Sequence, residues 1–232
     1  MKLAIWGSTN TGRSSLAYNL RIKYNLEKIL YKGTFGFEQP KTDSYVLKIL
    51  CDTRLTNDEI ENYFLKRIDK DCKHLFIYRQ NLLSQYLSFR HNEDVDAGKD
   101  KEIINTIDIN ECRHSIESMK ENTKRIYNKV IENVDFVVTA SYEEIFFSEK
   151  AFSIFDKFNY GIKKEDIHDL VTKLKWEQQG KIKHEQARFT MDKGIKHFSF
   201  KKNYDIIEDM FCEEFMYIDN DTKEVKFLRH ET

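Results

Sequence analysis

The sequence has little proline and glycine, few cysteines and no long apolar run. One proline and eight glycines among 232 residues argue against linkers and disordered tails, which are commonly rich in both residues. The four cysteines form no Cys-x-x-Cys pair. This spacing fits reduced thiols in a cytoplasmic protein better than a disulfide framework or a zinc site. We therefore expect one globular domain over residues 1–232.

A membrane span and a strong net charge are also lacking. No apolar stretch approaches the roughly 20 residues that a membrane-spanning helix needs, and a strand pattern begins at once, with no leader-like segment. The 38 basic and 39 acidic residues leave a formal charge of -1. This charge gives no overall attraction for nucleic acid or an anionic membrane. Any anion-binding site must therefore be local.

What the sequence does contain is a regular alternation of strand and helix patterns. Apolar and β-branched runs predict four strands, at 2–6, 45–52, 74–79 and 134–141. Helical spacing of apolar residues predicts the helices that follow, at 14–25, 80–91, 108–133 and 142–158. Thr56 and Glu59 have capping-box spacing and predict the start of a further helix, whereas the charged run at 92–102 predicts a loop. The alternation indicates an α/β fold with a mostly parallel sheet flanked by helices.

The first predicted strand is followed by the loop GSTNTGRSS, from Gly7 to Ser15. Its G-x4-G-R-S spacing lets successive backbone N–H groups surround a phosphate at a helix N-terminus, where the helix dipole also favours negative charge. In ATP and GTP enzymes this motif carries lysine, followed by a Ser or Thr that contacts magnesium. Arg13 replaces the lysine, and Asp52 is the one tempting metal ligand at a strand end. A simple strand-to-helix turn without a ligand is the alternative.

A second candidate anion-binding segment is IYRQNLLSQYLSFRH. It places Arg79 at the end of a strand and the hydroxyls of Ser84 and Ser88 one and two turns into the next helix. An arginine and a serine hydroxyl that converge there can hold a phosphate monoester through charge-assisted hydrogen bonds. Taken alone, the segment favours an ordinary strand-to-helix junction with solvated polar groups.

Together these segments resemble the bacterial sulfotransferase family. The resemblance rests on TNTGRSSL, YVLKILCD, IYRQNLLSQYLSF and VVTASYEEIF, which occur in the family's order within residues 1–147. It implies a three-layer, P-loop-like fold with the donor site within this core. Amphipathic segments after about residue 160 indicate that 148–232 is the helical and C-terminal part of the same domain. It also implies 3′-phosphoadenosine 5′-phosphosulfate (PAPS) as the sulfuryl donor, no metal, and a small metabolite or carbohydrate as the acceptor.

The resemblance implies a donor site built from the loop and from the second segment. The implied donor-binding residues are Ser8, Thr9, Asn10, Thr11, Gly12, Arg13, Ser14, Ser15, Arg79 and Ser88, with Ser84 as the alternative to Ser88. Family loops commonly carry a basic residue two positions before the glycine, where this sequence has Asn10. Arg13 instead follows the glycine, and we expect it to bind the donor and to stabilise charge on the departing phosphate.

The acceptor side needs a base, because the attacking hydroxyl or amine loses its proton as it attacks. Glu38, in GFEQPK, resembles a glutamate that some carbohydrate sulfotransferases use, and it is the first candidate base. His91 is the second, because imidazole titrates near neutrality. Lys48, from its alternation in YVLKILCD, is expected to face the loop and to assist the leaving group. A solvated carboxylate, a surface histidine and a strand-end lysine are the corresponding structural alternatives.

Three functions therefore stay open. The first is a PAPS-dependent sulfotransferase. The second is a P-loop nucleotide kinase or NTPase in which Arg13 does the work of the lysine and Asp52 holds magnesium. The third is a non-catalytic relative that keeps the anion pocket, which Asn10 in the place of the family's cation makes reasonable.

Overall fold

The computed structural model describes residues 1–30, 42–51, 56–96, 106–171, 203–211 and 213–228. The strands of this part are β1 (Lys2–Gly7), β2 (Glu27–Leu30), β3 (Tyr45–Leu50), β4 (Lys73–Tyr78), β5 (Val137–Ser141), β6 (Phe215–Ile218) and β7 (Val225–Leu228). Its α-helices are α1 (Arg13–Tyr24), α2 (Asn57–Glu59), α3 (Leu82–Asp96), α4 (Ile109–Asn133), α5 (Tyr142–Phe146), α6 (Ala151–Asp156), α7 (Ile167–Val171) and α8 (Tyr204–Phe211).

Five strands form one parallel sheet in the order β2-β3-β1-β4-β5. The chain leaves β1 toward β2 on one side of the sheet, and it leaves β4 toward β5 on the other side. The direction of winding therefore changes between the neighbouring strands β1 and β4. Open α/β sheets bind ligands beyond the carboxyl ends of their strands at such a point. Because Gly7 pairs with Leu50 and Ile77, the segments that follow β1, β3 and β4 leave the sheet at one level.

Helices cover both faces of this sheet. On one face, strand residues such as Trp6 and Phe76 pack against α3, α4 and α8. On the other face, residues such as Ile5 and Ile77 pack against α1, α5, α6 and α7. Successive side chains of a strand point to opposite faces, so the continuous apolar runs of β1 and β4 supply both layers. The predicted three-layer α/β architecture with a parallel central sheet is confirmed.

The strands β6 and β7 form an antiparallel hairpin that lies against the junction between β4 and α3. The Met216 N–H donates to the Gln80 carbonyl at 2.9 Å, and the Leu82 N–H donates to the Glu214 carbonyl at 3.1 Å. A buried ion pair of 2.6 Å joins Glu214 to Lys120 of α4. The hairpin therefore holds the chain segment that directly follows β4.

The predicted helix at 142–158 is wrong in one respect, because it is interrupted between α5 and α6. The Ser148 hydroxyl donates to the Glu144 carbonyl at 2.7 Å and accepts the Lys150 N–H at 3.1 Å. These side-chain bonds to the backbone compete with the helical pattern. The capping box at Thr56 and Glu59 is confirmed, and α2 passes directly into a π-helical turn, Ile60–Leu65.

Two other segments differ from the sequence predictions. The charged run at 92–102 predicts a loop, but α3 continues to Asp96. This extension contains no glycine or proline that would end a helix. Strand β2 follows α1 after a short turn and was not predicted, because its four residues are too few for a clear strand pattern. No helix in the described part of the chain is long and apolar enough to cross a membrane.

A buried histidine lies in the core of the sheet. The Trp6 indole N–H donates to Nδ1 of His74 at 2.9 Å, and burial lowers the pKa of His74 to about 4. The side chain is therefore neutral in the folded protein at neutral pH. In the unfolded chain a histidine has its ordinary pKa of about 6.5.

We predict that the free energy of unfolding falls as the pH drops from 6.5 to 4. In this range the unfolded chain binds a proton that folded His74 does not, and the loss amounts to about 3 kcal/mol. Urea denaturation across the range measures it. His74→Asn keeps an acceptor for Trp6 but does not titrate, so its pH dependence should be flatter. His114→Asn, at an exposed position of α4, should keep the wild-type slope. Equal slopes for the wild type and His74→Asn would refute the assignment.

Candidate anion-binding site at the carboxyl edge of the sheet

The loop between β1 and α1 presents a helix N-terminus at the edge of the sheet. Asn10 and Gly12 have positive φ angles, 59° and 74°. Gly12 is the N-cap residue and gives no side-chain hydrogen bond to the first turn of α1, which contains no acidic residue. The first N–H groups of a helix have no partners within the helix, and they carry partial positive charge. The loop therefore has the conformation and charge that favour an anion.

Two glycines allow the loop to lie close to its neighbours. A Cβ atom on Gly7 would lie 2.7 Å from both the Ile77 carbonyl oxygen and Thr11 Oγ1. A Cβ atom on Gly12 would lie 2.2 Å from the ring of Phe146, and its φ of 74° also disfavours other residues. The loop is therefore packed between β4 and α5.

Buried side chains hold the loop by its carbonyl groups. Gln85 of α3 donates through Nε2 to the Thr9 carbonyl at 2.9 Å, and also to the Ser8 hydroxyl. Arg79, directly after β4, donates through Nη1 to the Asn10 carbonyl at 3.3 Å. Gln85 is 1% exposed and Arg79 is 4% exposed. The conformation of the loop therefore depends on residues about 70 positions later in the sequence.

The guanidinium of Arg79 has partners from three elements. Its Nη2 donates to Ser84 Oγ at 3.1 Å, its Cζ lies 4.7 Å from the centre of the Tyr142 ring, and its Nε lies 3.9 Å from a Glu143 oxygen. Burial lowers the pKa of Arg79, although Tyr142 and Glu143 act to raise it. The structure brings Arg79 and Ser84 together at the loop. Ser88, the favoured serine of the sequence analysis, is buried one turn further along α3.

Glu143 connects the start of α3 to the start of α5. Its carboxylate accepts the N–H groups of Gln80 and Asn81, at 3.0 and 3.5 Å. The Asn81 side chain in turn accepts the Ser84 N–H at 2.7 Å. The Asn81 amide therefore caps the first turn of α3, and the Glu143 carboxylate holds the two residues that precede this helix. This role of Glu143 was not predicted from the sequence.

A signal for that role was present in the sequence. Ser141 and Glu144 have capping-box spacing, and both hydrogen bonds of the box are formed at the start of α5. Of the two glutamates in SYEEIF, Glu144 is therefore used within its own helix. Glu143 is left for a contact outside α5.

Arg13 is directed back toward the sheet. Its Nη1 donates to the Gly7 carbonyl at 2.6 Å and to the Ile49 carbonyl, and the residue is 7% exposed. The Gly7 carbonyl also accepts the Cys51 N–H at 2.9 Å. In this conformation Arg13 joins the carboxyl ends of β1 and β3. Its expected contact with a departing phosphate stays a prediction.

Lys48 lies beside the first turn of α1. Its Nζ lies 3.2 Å from Ser14 Oγ, so β3 directs this side chain toward the loop, as its alternation predicts. In ATP and GTP enzymes the corresponding hydroxyl contacts Mg²⁺. An ammonium group this close to the hydroxyl repels a divalent cation through Coulomb's law. Lys48 thus brings to the loop a positive charge that Asn10 does not supply.

Of the remaining predicted residues, some lie in the described part of the chain and others do not. Thr11 and Ser15 are described: Thr11 donates through Oγ1 to the Ser8 carbonyl at 2.9 Å, and Ser15 is buried in the first turn of α1. Glu38 and Asp52 lie outside the described residues, and His91 lies in α3 with its side chain outside them. Among the residues that are described, no group of three or more His, Cys, Asp or Glu side chains is arranged to hold a metal ion.

The sequence matches no protein-family model, and it has no significant match among curated proteins. The chemistry of the site is therefore inferred from its side chains. Three basic residues, Arg13, Lys48 and Arg79, surround one glycine-containing loop at the point where the winding of the sheet changes. Such an arrangement suits a small ligand with more than one phosphate or sulfate group.

We predict that Glu143→Ala lowers the free energy of unfolding by about 1–3 kcal/mol, because it leaves two N–H groups without their acceptor and a buried guanidinium without its ion-pair partner. Urea denaturation measures the change. Glu149→Ala is the matched control, since Glu149 is exposed in the turn between α5 and α6. It should stay within about 0.5 kcal/mol of the wild type. A similar small effect for both variants would show that Glu143 does not hold the junction together.

Proposed function

We propose that this protein is a sulfotransferase that moves a sulfuryl group from PAPS to a hydroxyl or amine of a small metabolite or carbohydrate. The observation that supports the proposal most is the contact of Arg79 with both Ser84 and the glycine-containing loop. It puts two anion-binding elements side by side. PAPS carries a phosphosulfate on its 5′ carbon and a phosphate on its 3′ carbon, so it needs two such elements.

In the proposed site, the loop and the first turn of α1 bind the 5′-phosphosulfate, whose sulfuryl group is the one transferred. Arg79 and Ser84 bind the 3′-phosphate through charge-assisted hydrogen bonds. Arg79 uses two of its five N–H groups for Asn10 and Ser84, and its buried Nε has no hydrogen-bond partner among the described residues, so the guanidinium keeps donors for the phosphate. Lys48 stabilises the negative charge that develops on the 5′-phosphate. Glu38 is proposed as the base, with His91 as the second candidate.

Two contacts weigh against a nucleotide kinase or NTPase. The Nη1 atom of Arg13 donates to strand carbonyls, whereas the lysine of a phosphate-binding loop reaches the terminal phosphates of the nucleotide. The ammonium of Lys48 lies beside the hydroxyl of Ser14 that would contact Mg²⁺. The Lys48 contact suits transfer from a donor whose charge is neutralised by side chains rather than by Mg²⁺.

We predict that adenosine 3′,5′-bisphosphate, the product left by PAPS, raises the melting temperature in buffer containing EDTA. A ligand at 100 times its Kd adds about 2.7 kcal/mol of stability, which thermal denaturation detects readily. ATP with Mg²⁺ serves as the comparison and should stabilise the protein much less. If ATP with Mg²⁺ stabilises the protein and adenosine 3′,5′-bisphosphate does not, the proposed donor is excluded.

Donor binding is then followed by an activity assay. Radiolabelled PAPS is incubated with a panel of carbohydrates, phenols and amines, and transfer of the label identifies the acceptor class. Donor binding with no transfer to any member of the panel would favour the third function, a non-catalytic anion-binding protein.

Ser84 allows the two halves of the donor site to be separated. We predict that Ser84→Ala weakens adenosine 3′,5′-bisphosphate by roughly ten-fold, the effect of one lost hydrogen bond to a charged group. Adenosine 5′-phosphate, which lacks the 3′ group, should bind within about two-fold of the wild type. Calorimetric titration gives both constants. Ser153→Ala, at an exposed position of α6, is the control, and equal losses for the two nucleotides would contradict the 3′ assignment.

A further inference from the structure

We infer that Gln85 is a positioning residue that aims main-chain N–H groups of the loop at the bound anion without touching it. The inference rests on the proposed function, in which this loop binds the 5′-phosphate group of the donor. It goes beyond that function, because it assigns part of the loop's affinity to a buried amide on α3.

The direction of the loop's N–H groups follows from the geometry of the peptide unit. The described peptide bonds are all trans, and in a planar trans unit the C=O and N–H groups point in opposite directions. Gln85 binds the Thr9 carbonyl, so the Asn10 N–H of the same unit points away from Gln85. Arg79 binds the Asn10 carbonyl, so the Thr11 N–H points away from Arg79. Both groups are thus directed away from the side chains that hold the loop.

The local conformation fits this role. Asn10 and Gly12, on either side of Thr11, have positive φ angles. Turns that contain a left-handed residue gather consecutive N–H groups into a concave site for anions. Asparagine and glycine adopt this conformation more readily than other residues. These two residues permit the turn, and the side-chain donors Gln85 and Arg79 determine which way its peptide units face.

The surroundings of Gln85 indicate that stability is not its main contribution. It is 1% exposed, and three of its neighbours on α3, Leu82, Leu83 and Tyr86, are fully buried apolar or aromatic residues. Its Oε1 atom is buried and has no hydrogen-bond partner within the described part of the chain. A buried acceptor without a partner costs about 1–3 kcal/mol. The amide differs from a leucine side chain in that its Nε2 donates to Ser8 and Thr9.

The test is the substitution Gln85→Leu, which keeps a similar volume and removes the donor. We expect it to weaken adenosine 5′-phosphate by roughly ten-fold, because the Asn10 N–H is no longer aimed at the phosphate. Adenosine 3′-phosphate, which does not need the loop, should change by less than about two-fold. Asn122→Leu removes an amide from α4 that donates within its own helix, and it should leave both affinities unchanged.

A second measurement reports the orientation directly. In ¹H–¹⁵N NMR spectra of the wild type, the Asn10 and Thr11 amide signals should move downfield when adenosine 5′-phosphate binds. In Gln85→Leu the shift of Asn10 should be lost. If Gln85→Leu does not fold, Gln85→Met replaces it, because its unbranched thioether chain has a similar length and cannot donate to the Thr9 carbonyl, and the same losses are expected.

The outcomes separate the inference from the function on which it rests. The inference alone would be overturned if the Gln85 variants bound adenosine 5′-phosphate with wild-type affinity. It would also be overturned if the Asn10 and Thr11 amide signals of the wild type did not shift when the nucleotide binds. Nucleotide binding that depends on Gln85, together with no sulfuryl transfer to any acceptor, would overturn the sulfotransferase and leave the inference standing. A wild-type protein that binds neither adenosine 5′-phosphate nor adenosine 3′,5′-bisphosphate would overturn both.

Discussion

The buried guanidinium of Arg79 is the charge around which the carboxyl edge of the sheet is organised. Taking a charged group out of water costs several kcal/mol unless it is paired and hydrogen-bonded. Here the loop after β1 supplies the Asn10 carbonyl, α3 supplies the Ser84 hydroxyl, and α5 supplies the Tyr142 ring and the Glu143 carboxylate. Three elements must therefore keep fixed positions relative to one another if this one side chain is to stay satisfied.

The contacts that stabilise this edge of the sheet also shape the proposed donor site. The Glu143 carboxylate contacts both the Gln80 N–H, just before α3, and the guanidinium of Arg79. The helix that carries Ser84 and Gln85 therefore has a defined start. Gln85, the residue after Ser84, then reaches the loop. A ligand phosphate that draws Arg79 away from Asn10 would disturb only one of these restraints, because Gln85 continues to hold the preceding peptide unit. The site can therefore exchange a bond without losing its shape.

Much of this arrangement is predictable from sequence, because it depends on local patterns. The apolar runs of β1, β3, β4 and β5 predict parallel strands, and the carboxyl ends of parallel strands share one edge, which brings the glycine loop near Arg79. The contacts of Gln85 and Glu143 join residues 62 to 77 positions apart, and no periodicity encodes them. The direction of Arg13 likewise depends on the carbonyl at the end of β3, which lies 36 positions away.

The hairpin of β6 and β7 has a consequence for the order in which the molecule is completed during synthesis. Its backbone bonds to Gln80 and Leu82 lie on either side of Asn81, the residue that caps α3. All five strands of the sheet have left the ribosome well before Glu214 and Met216 are made. A nascent chain can therefore hold all five strands of the sheet while the junction between β4 and α3 still lacks the support of the hairpin. The start of α3 is therefore braced only after the strands of the sheet have been made.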